Sequence, residues 1–125
     1  MLIDFESSGE VFILRLKGRF ATGADSAYLR AKAAEVKASG PNKVLVDFRG
    51  VPYIDSTGIS FVVGLYTSVV KGAEGRFALI NLGNLVREAL EITRLNTILP
   101  IYENEHAALA ALTSPPETNQ TAVAS

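Results

Sequence analysis

The chain of 125 residues has no cysteine, no tryptophan and a single histidine. The missing cysteines exclude disulfide bonds, thiolate metal sites and thiol catalysis. The one histidine, His106, follows Asn104 and Glu105, and we expect it to be solvated, because a general base needs an oriented partner. No His, Asp and Glu residues stand at metal-ligand spacing. We therefore expect a protein that is not an enzyme and that needs no cofactor.

The chain also lacks an excess charge of either sign and a long hydrophobic run. Twelve basic and thirteen acidic side chains give a net charge of -1, so no field steers the chain toward nucleic acid or an anionic membrane. The longest apolar region, residues 59–70, contains Ser60 and Gly64 and is too short to cross a bilayer. Residues 1–6 carry acidic side chains, so we do not expect them to form a signal peptide. We expect a cytoplasmic protein.

What the chain does contain is enough apolar residues, 48%, for one compact domain with a core. Apolar and polar residues alternate over residues 2–7 and 11–17, as in half-buried strands, and the Ser-Gly pair between them predicts a hairpin. A third strand, residues 43–48, is apolar on both faces apart from Asp47. This pattern predicts a central, buried position in a sheet.

Helical periodicity and the positions of glycine and proline indicate helices in the rest of the chain. The predicted helices are residues 26–39, 57–71, 85–92 and 103–112, and two further strands are predicted at residues 76–80 and 99–102. In the third helix, four apolar residues lie on one side: Leu85, Val86, Ala89 and Ile92.

Strands that alternate with helices after a hairpin predict an α/β fold. We expect a single domain over residues 1–112, with a mixed sheet of four to five strands and about four helices packed mainly on one side. Residues 113–125 lack periodicity and bulky side chains, and we expect them to form a disordered polar tail.

The most informative segment is Asp55-Ser56-Thr57-Gly58, which lies between the third strand and the second helix. In one interpretation a Ser or Asp oxygen caps the helix by accepting a backbone N–H group of its first turn. In the other, Ser56 is a phosphorylation site, where the phosphate meets the positive end of the helix dipole. The local residues leave both interpretations open.

A longer stretch around these residues, VLVDFRGVPYIDSTGI at residues 44–59, resembles the STAS domain family, and within it the anti-sigma-factor antagonists of bacteria. Residues 11–18 and 82–95 resemble the family in the same order and spacing. The resemblance implies that Ser56, flanked by Asp55, Thr57 and Gly58, is phosphorylated by a kinase-type anti-sigma factor.

The function that this resemblance implies is a phospho-switchable binding module. The dephosphorylated chain would bind a serine-kinase anti-sigma factor, phosphorylation at Ser56 would release it, and a phosphatase would restore binding. The alternatives are a STAS scaffold, an accessory subunit of a larger signalling assembly or membrane transport system, and a small-ligand sensor, for which the sequence contains no dedicated pocket motif.

The second helix carries more apolar residues than one buried face needs. One stripe is expected to face the core: Ile59, Val62, Val63, Tyr66 and Val70. Three further apolar residues lie on other flanks: Phe61, Leu65 and Val69. Either a neighbouring helix covers this flank or it forms a docking surface beside Ser56. Ser60 and Gly64 lie on the same flank and are small enough for close approach, so Ser60, Phe61 and Gly64 are candidate partner-binding residues.

One loop departs from the family pattern. Many antagonists carry acidic residues just after the glycine that ends the second strand, where this chain reads Gly-Arg-Phe-Ala-Thr-Gly at residues 18–23. Arg19 and Thr22 are therefore candidate contact residues in a loop expected near Ser56. The basic charge reflects either ordinary loop variation or a partner kinase unlike the usual ones.

Overall fold

The computed structural model describes residues 2–19, 26–71 and 74–114. The chain opens with a hairpin in which β1 (Leu2–Ser8) pairs antiparallel with β2 (Val11–Lys17). Gly9 lies in the turn with φ of +59°, a left-handed conformation that glycine adopts without steric cost. The predicted hairpin is confirmed.

The remaining elements build one sheet with the order β1-β2-β3-β4-β5, in which β2 to β5 are parallel. The predicted α/β class, with a mixed sheet of five strands and four helices, is confirmed for the described residues. The elements after the hairpin are α1 (Ser26–Ser39), β3 (Lys43–Gly50), α2 (Ser56–Val70), β4 (Arg76–Ile80), α3 (Asn84–Ile92), a 3₁₀ turn (Leu95–Thr97), β5 (Ile101–Tyr102) and α4 (Glu105–Thr113).

Both faces of the sheet are covered, and β3 lies in the middle, as predicted. Side chains alternate along a strand, so Val44 and Val46 face the cluster that contains α1, α2 and α3. Leu45 faces the opposite cluster, which contains α4. Three helices therefore pack on one side and one on the other, which confirms the expectation of helices mainly on one side.

The buried face of α2 differs from the predicted stripe. Among the residues of that stripe only Val62 is buried, and the other four are half-buried. The buried large side chains of α2 are Phe61, Val62, Leu65 and Val69. Because α1 packs along one flank of α2, the side between α1 and the sheet is the more enclosed one. The predicted face was thus partly wrong. Val62 is buried as expected, whereas the other residues of the stripe are only partly buried. The neighbouring helix covers the second apolar flank.

The apolar side of α3 is only partly buried. Val86 and Leu90 are buried, whereas Leu85 is 57% exposed and Ile92 is 75% exposed. The helix is apolar over a wider arc than the sheet can cover, so the sequence pattern does not define a single buried side.

Substitutions on α3 test this orientation. We expect Leu85→Ala to change the free energy of unfolding by less than about 0.5 kcal/mol, because exposed side chains contribute little. Val86→Ala should cost about 1–3 kcal/mol, because it leaves a cavity in the core. Urea denaturation of both variants measures the difference, and a larger loss for Leu85→Ala would contradict the orientation.

The last residue of α4 is Thr113. The predicted polar tail lies, from residue 115 onward, outside the described residues, so the division into a domain over residues 1–112 and a tail stays a prediction.

Candidate functional site

The carboxyl ends of the parallel strands meet at one edge of the sheet, and α2 begins there. The backbone N–H of Gly18, just after β2, donates to the carbonyl of Gly50 at 2.9 Å. Gly50 allows this close approach, because a Cβ there would lie 3.0 Å from the carbonyl oxygen of Leu16. The loop from β3 to α2 is anchored by the buried side chains of Val51 and Ile54. The entrance of α2 is thus held against the end of the sheet.

The N-cap of α2 is Asp55. Its backbone is extended, with φ of -107° and ψ of -172°, and its side-chain Oδ1 accepts the backbone N–H of Gly58 at 3.1 Å. A capping carboxylate also suits the positive end of the helix dipole. The helix therefore begins at Ser56, one residue earlier than predicted. The sequence left open whether a Ser or an Asp oxygen caps the helix, and in the structure the cap is the carboxylate of Asp55.

Ser56 is the first residue of α2, and its side chain is exposed. The hydroxyl is not needed for the cap, because the Asp55 carboxylate accepts the N–H of the first turn. Ser56 therefore has the exposure that a phosphorylation site requires. The side chain is open to solvent in the folded chain, and the assignment of Ser56 as the modified residue stays a prediction.

Four of the predicted site residues line a groove between α1 and α2. On the α2 side these are Thr57, Ser60, Phe61 and Gly64. The α1 side is formed by Ser26, Leu29, Arg30, Ala33 and Lys37, and the groove has a volume of about 370 Å³.

The position of Phe61 in this groove corrects one expectation. Phe61 is only 7% exposed and belongs to the main core cluster. It therefore forms part of the floor of the groove and is not an exposed docking residue. Ser60 is exposed and Gly64 is half-buried, so these two small residues leave the upper part of the groove open. Gly58, in the first turn, is buried.

Gly64 provides a test of how open the groove is. A Cβ added there would have no neighbouring heavy atom within 4 Å. We therefore expect Gly64→Ala to raise the free energy of unfolding by up to about 1 kcal/mol, since alanine is the better helix former and no clash opposes it. A shift of the urea midpoint toward higher concentration would show this, and a destabilised variant would contradict the open geometry.

Arg19 lies at the same end of the sheet. Its guanidinium carbon stands 5.8 Å from the ring centroid of Tyr53, in the loop that leads to Ser56. Such a cation–π contact contributes about 0.5–1 kcal/mol at an exposed site. The structure thus brings Arg19 to the loop before Ser56, as expected. Thr22, the other predicted contact residue of that loop, lies outside the described residues.

A network of charged side chains on the α4 face was not predicted as a unit. Arg15 of β2 donates from Nη1 to Oδ2 of Asp47 at 2.9 Å and to Oε1 of Glu105 at 2.7 Å. It also donates to Glu6 of β1 at 3.2 Å. Oδ1 of Asp47 accepts from the side chain of Asn81 at 2.8 Å. The only sequence signal was the polar Asp47 in an otherwise apolar strand.

The network changes the proton affinities of two of its members. Burial by itself raises the pKa of Asp47, but hydrogen bonds from Asn81, from the backbone N–H of Arg49 and from Arg15 outweigh it and hold that pKa below its usual value. The hydrogen bond to Glu105 raises the pKa of the Arg15 guanidinium, against the lowering effect of burial. Because Glu105 stands at the start of α4, this network ties α4 to the sheet.

Two features are absent from the described residues. Across residues 2–19, 26–71 and 74–114, no helix combines the length and apolar character that a bilayer crossing requires. In the same ranges, no group of three or more His, Cys, Asp or Glu side chains is placed to hold a metal ion. His106 is exposed on α4.

Comparisons with known proteins agree on one family. A family model described as the STAS domain matches residues 3–108. The anti-sigma F factor antagonist of Paenibacillus polymyxa is 24% identical over 110 residues, which are 88% of this chain and 93% of that protein. The Bordetella bronchiseptica protein BtrV, whose name assigns it provisionally as an anti-sigma factor antagonist, is 31% identical over 111 residues, which are 89% of this chain and 94% of that protein.

A solved structure gives the same result for the fold. The crystal structure of an anti-sigma factor antagonist from Mycobacterium paratuberculosis matches with a TM-score of 0.80 at 22% sequence identity. The match covers 90% of this chain and 94% of that one. This likeness shows a shared fold.

Proposed function

The chain belongs to the STAS domain family, as its resemblance predicted, and from that premise we propose that it is an anti-sigma-factor antagonist. In this proposal the dephosphorylated chain binds a serine-kinase anti-sigma factor, and phosphorylation of Ser56 releases it. The observation that carries the proposal is the exposed Ser56 at the entrance of α2, next to the groove that Thr57, Ser60 and Gly64 line.

The position of Ser56 explains how one phosphate can control binding. A phosphate adds about 1.5 to 2 negative charges at neutral pH. The carboxylate of Asp55 already accepts a hydrogen bond from the N–H of Gly58, so a phosphate on Ser56 would share the helix entrance with another negative group. It therefore stays toward solvent, on the surface that a partner has to cover.

A partner that covers Ser56 must remove water from the group at the end of the side chain, which is either the hydroxyl or the phosphate. Burying the hydroxyl costs little free energy, because the partner can supply a hydrogen bond in place of the lost water. An unpaired phosphate would cost several kcal/mol to bury. Phosphorylation then weakens the complex by desolvation and repulsion without unfolding the chain, and a phosphatase restores binding.

The chain acts in this proposal as a cytoplasmic binding module and not as an enzyme, with no cofactor and no nucleic acid partner. Two sequence relatives named as anti-sigma factor antagonists support the antagonist role, because the matches cover 93% and 94% of their lengths.

The proposal is tested by incubating the purified chain with ATP and each serine-kinase anti-sigma factor encoded in the same genome. Intact mass should increase by one phosphate with one of these kinases, and peptide mapping should place it on Ser56. Phosphate on Thr57 with Ser56 unmodified would overturn the site. If no kinase modifies the chain, the alternative of a scaffold or an accessory subunit of a larger assembly would replace the proposal.

A further inference from the structure

The groove between α1 and α2 continues beyond the part next to Ser56. A second hollow, of about 390 Å³, lies at the carboxyl ends of the same two helices. Lys37 lines both hollows, so they lie end to end between α1 and α2, with Lys37 where they meet; the two hollows are here called the α1–α2 channel. With 15 residues and a rise of about 1.5 Å per residue, α2 extends this channel over about 22 Å.

The charge of the α1–α2 channel has one sign. Three cationic residues line it, Arg30, Lys37 and Lys71, and no lining residue carries a carboxylate. All three cations are exposed, and none of them forms an ion pair with a carboxylate in the part of the chain that the structure describes. The whole chain has a net charge of -1, so this positive strip is a local feature and favours an acidic occupant.

The shape of the α1–α2 channel suits a helix. Its floor is apolar, with Leu29 and Phe61 at one end and Val36 and Val69 at the other. Its long walls are two helices, whose backbone groups are already hydrogen-bonded, so an added strand would find no backbone partners along them. Loop residues 40–42 line only the far end. A helix can instead place an apolar stripe on the floor, and the small residues of α2 allow its backbone to come close.

We propose that the α1–α2 channel binds an amphipathic helix whose flanks carry carboxylates, supplied by the partner protein that phosphorylation of Ser56 releases. This inference rests on the proposed function and adds the chemistry of the contact. The phosphate then acts in a second way: it adds negative charge at the Ser56 end of a positive channel and so weakens its attraction for an acidic helix.

Charge reversal tests the sign of the occupant. Arg30→Glu and Lys37→Glu should each weaken binding of the serine-kinase anti-sigma factor by about three- to tenfold, mostly through slower association, because rim charges act on the encounter. The matched control is Arg87→Glu, an equal change of charge on the exposed face of α3, which should leave the affinity unchanged. Unchanged or tighter binding of the two channel variants would overturn the inference.

A cysteine footprint tests whether the occupant extends along the whole channel. The native chain has no cysteine, so a single Cys reports one position. Ser68→Cys places a thiol in the second hollow, about 18 Å along α2 from Ser56. In the complex, its labelling by a maleimide should slow at least about tenfold, as expected for a site inside an interface. The control is Ser8→Cys at the exposed end of β1, which should label at the same rate with and without the partner.

The outcomes separate this inference from the proposed function. Phosphorylation of Ser56 with undiminished labelling of Ser68→Cys in the complex would overturn the helix in the channel and leave the phosphorylation switch in place. Failure of every kinase to bind or modify the chain would overturn both. Binding to phosphatidylglycerol vesicles that is lost in Arg30→Glu, together with unchanged kinase binding, would assign the channel to a lipid surface and also overturn the inference.

Discussion

Ser56→Ala is expected to abolish phosphorylation by the partner kinase and to leave binding of that kinase intact. The cap of α2 is Asp55, so the variant keeps the hydrogen bond to Gly58, and alanine is a good helix former. The free energy of unfolding should therefore change by less than about 0.5 kcal/mol. Intact mass after kinase treatment measures the first effect, and titration calorimetry measures the second.

Two control variants separate the phosphate from the cap. Thr57→Ala should still be phosphorylated, because the hydroxyl of Ser56 is unchanged. Asp55→Ala should cost about 0.5–2 kcal/mol of stability through loss of the cap. Ser56→Asp should weaken kinase binding, although one carboxylate carries less charge than a phosphate. Phosphorylation of Ser56→Ala at an unchanged rate would refute the assignment.

The second large effect is expected on the opposite face of the sheet. Asp47→Ala should lower the free energy of unfolding by about 2–4 kcal/mol, because it leaves three donors without their acceptor. Asp47 is 6% exposed and accepts from Arg15, Asn81 and the backbone of Arg49. Arg15 keeps Glu6 and Glu105 as partners, which limits the loss. Urea denaturation of the variant at neutral pH measures it.

The control for this variant is Asp4→Ala, which removes a carboxylate whose side chain is 51% exposed. Its cost should stay below about 0.5 kcal/mol. Equal stability losses for the two aspartates would contradict the role of the Arg15 network in holding the sheet and α4 together.

Acid should weaken the same contact. The pKa of Asp47 in the folded chain is lower than its ordinary value, which is about 3.9 in an unfolded chain. The contribution of Asp47 to stability is therefore complete above about pH 5 and is lost as the pH falls through the folded pKa. In Asp47→Asn this part of the acid dependence should be missing. The stability difference between the two proteins should shrink below about pH 4, and a difference independent of pH would contradict the lowered pKa.

Local patterns in the sequence were sufficient for the elements and for the position of Ser56. The period of two in β1 and β2, with a turn containing Gly9, predicts the hairpin from neighbouring residues alone. The apolar run of β3 predicts a strand that is covered on both sides. Asp55 is close enough in sequence to cap the helix that begins at Ser56. All of these interactions join residues that are near each other in the chain.

The buried sides of the helices could not be determined in this way. In α2, Phe61 and Leu65 compete with Ile59 and Val63, and all four are apolar, so periodicity alone does not select a face. The position of α1 decides between them. In α3 the sheet covers only part of the apolar surface and leaves Leu85 exposed.

The sequence by itself thus determined the fold class, the order of the elements and the position of Ser56 at a capped helix entrance, because these depend on short-range periodicity and on hydrogen bonds within one turn. Only the tertiary structure decided which surfaces meet. The α1–α2 channel joins Arg30 to Gly64, and the Arg15 network joins Glu6 to Glu105. Within each of these two sites the named residues are 34 and 99 positions apart in the sequence, and they come together because packing against one sheet brings distant segments into proximity.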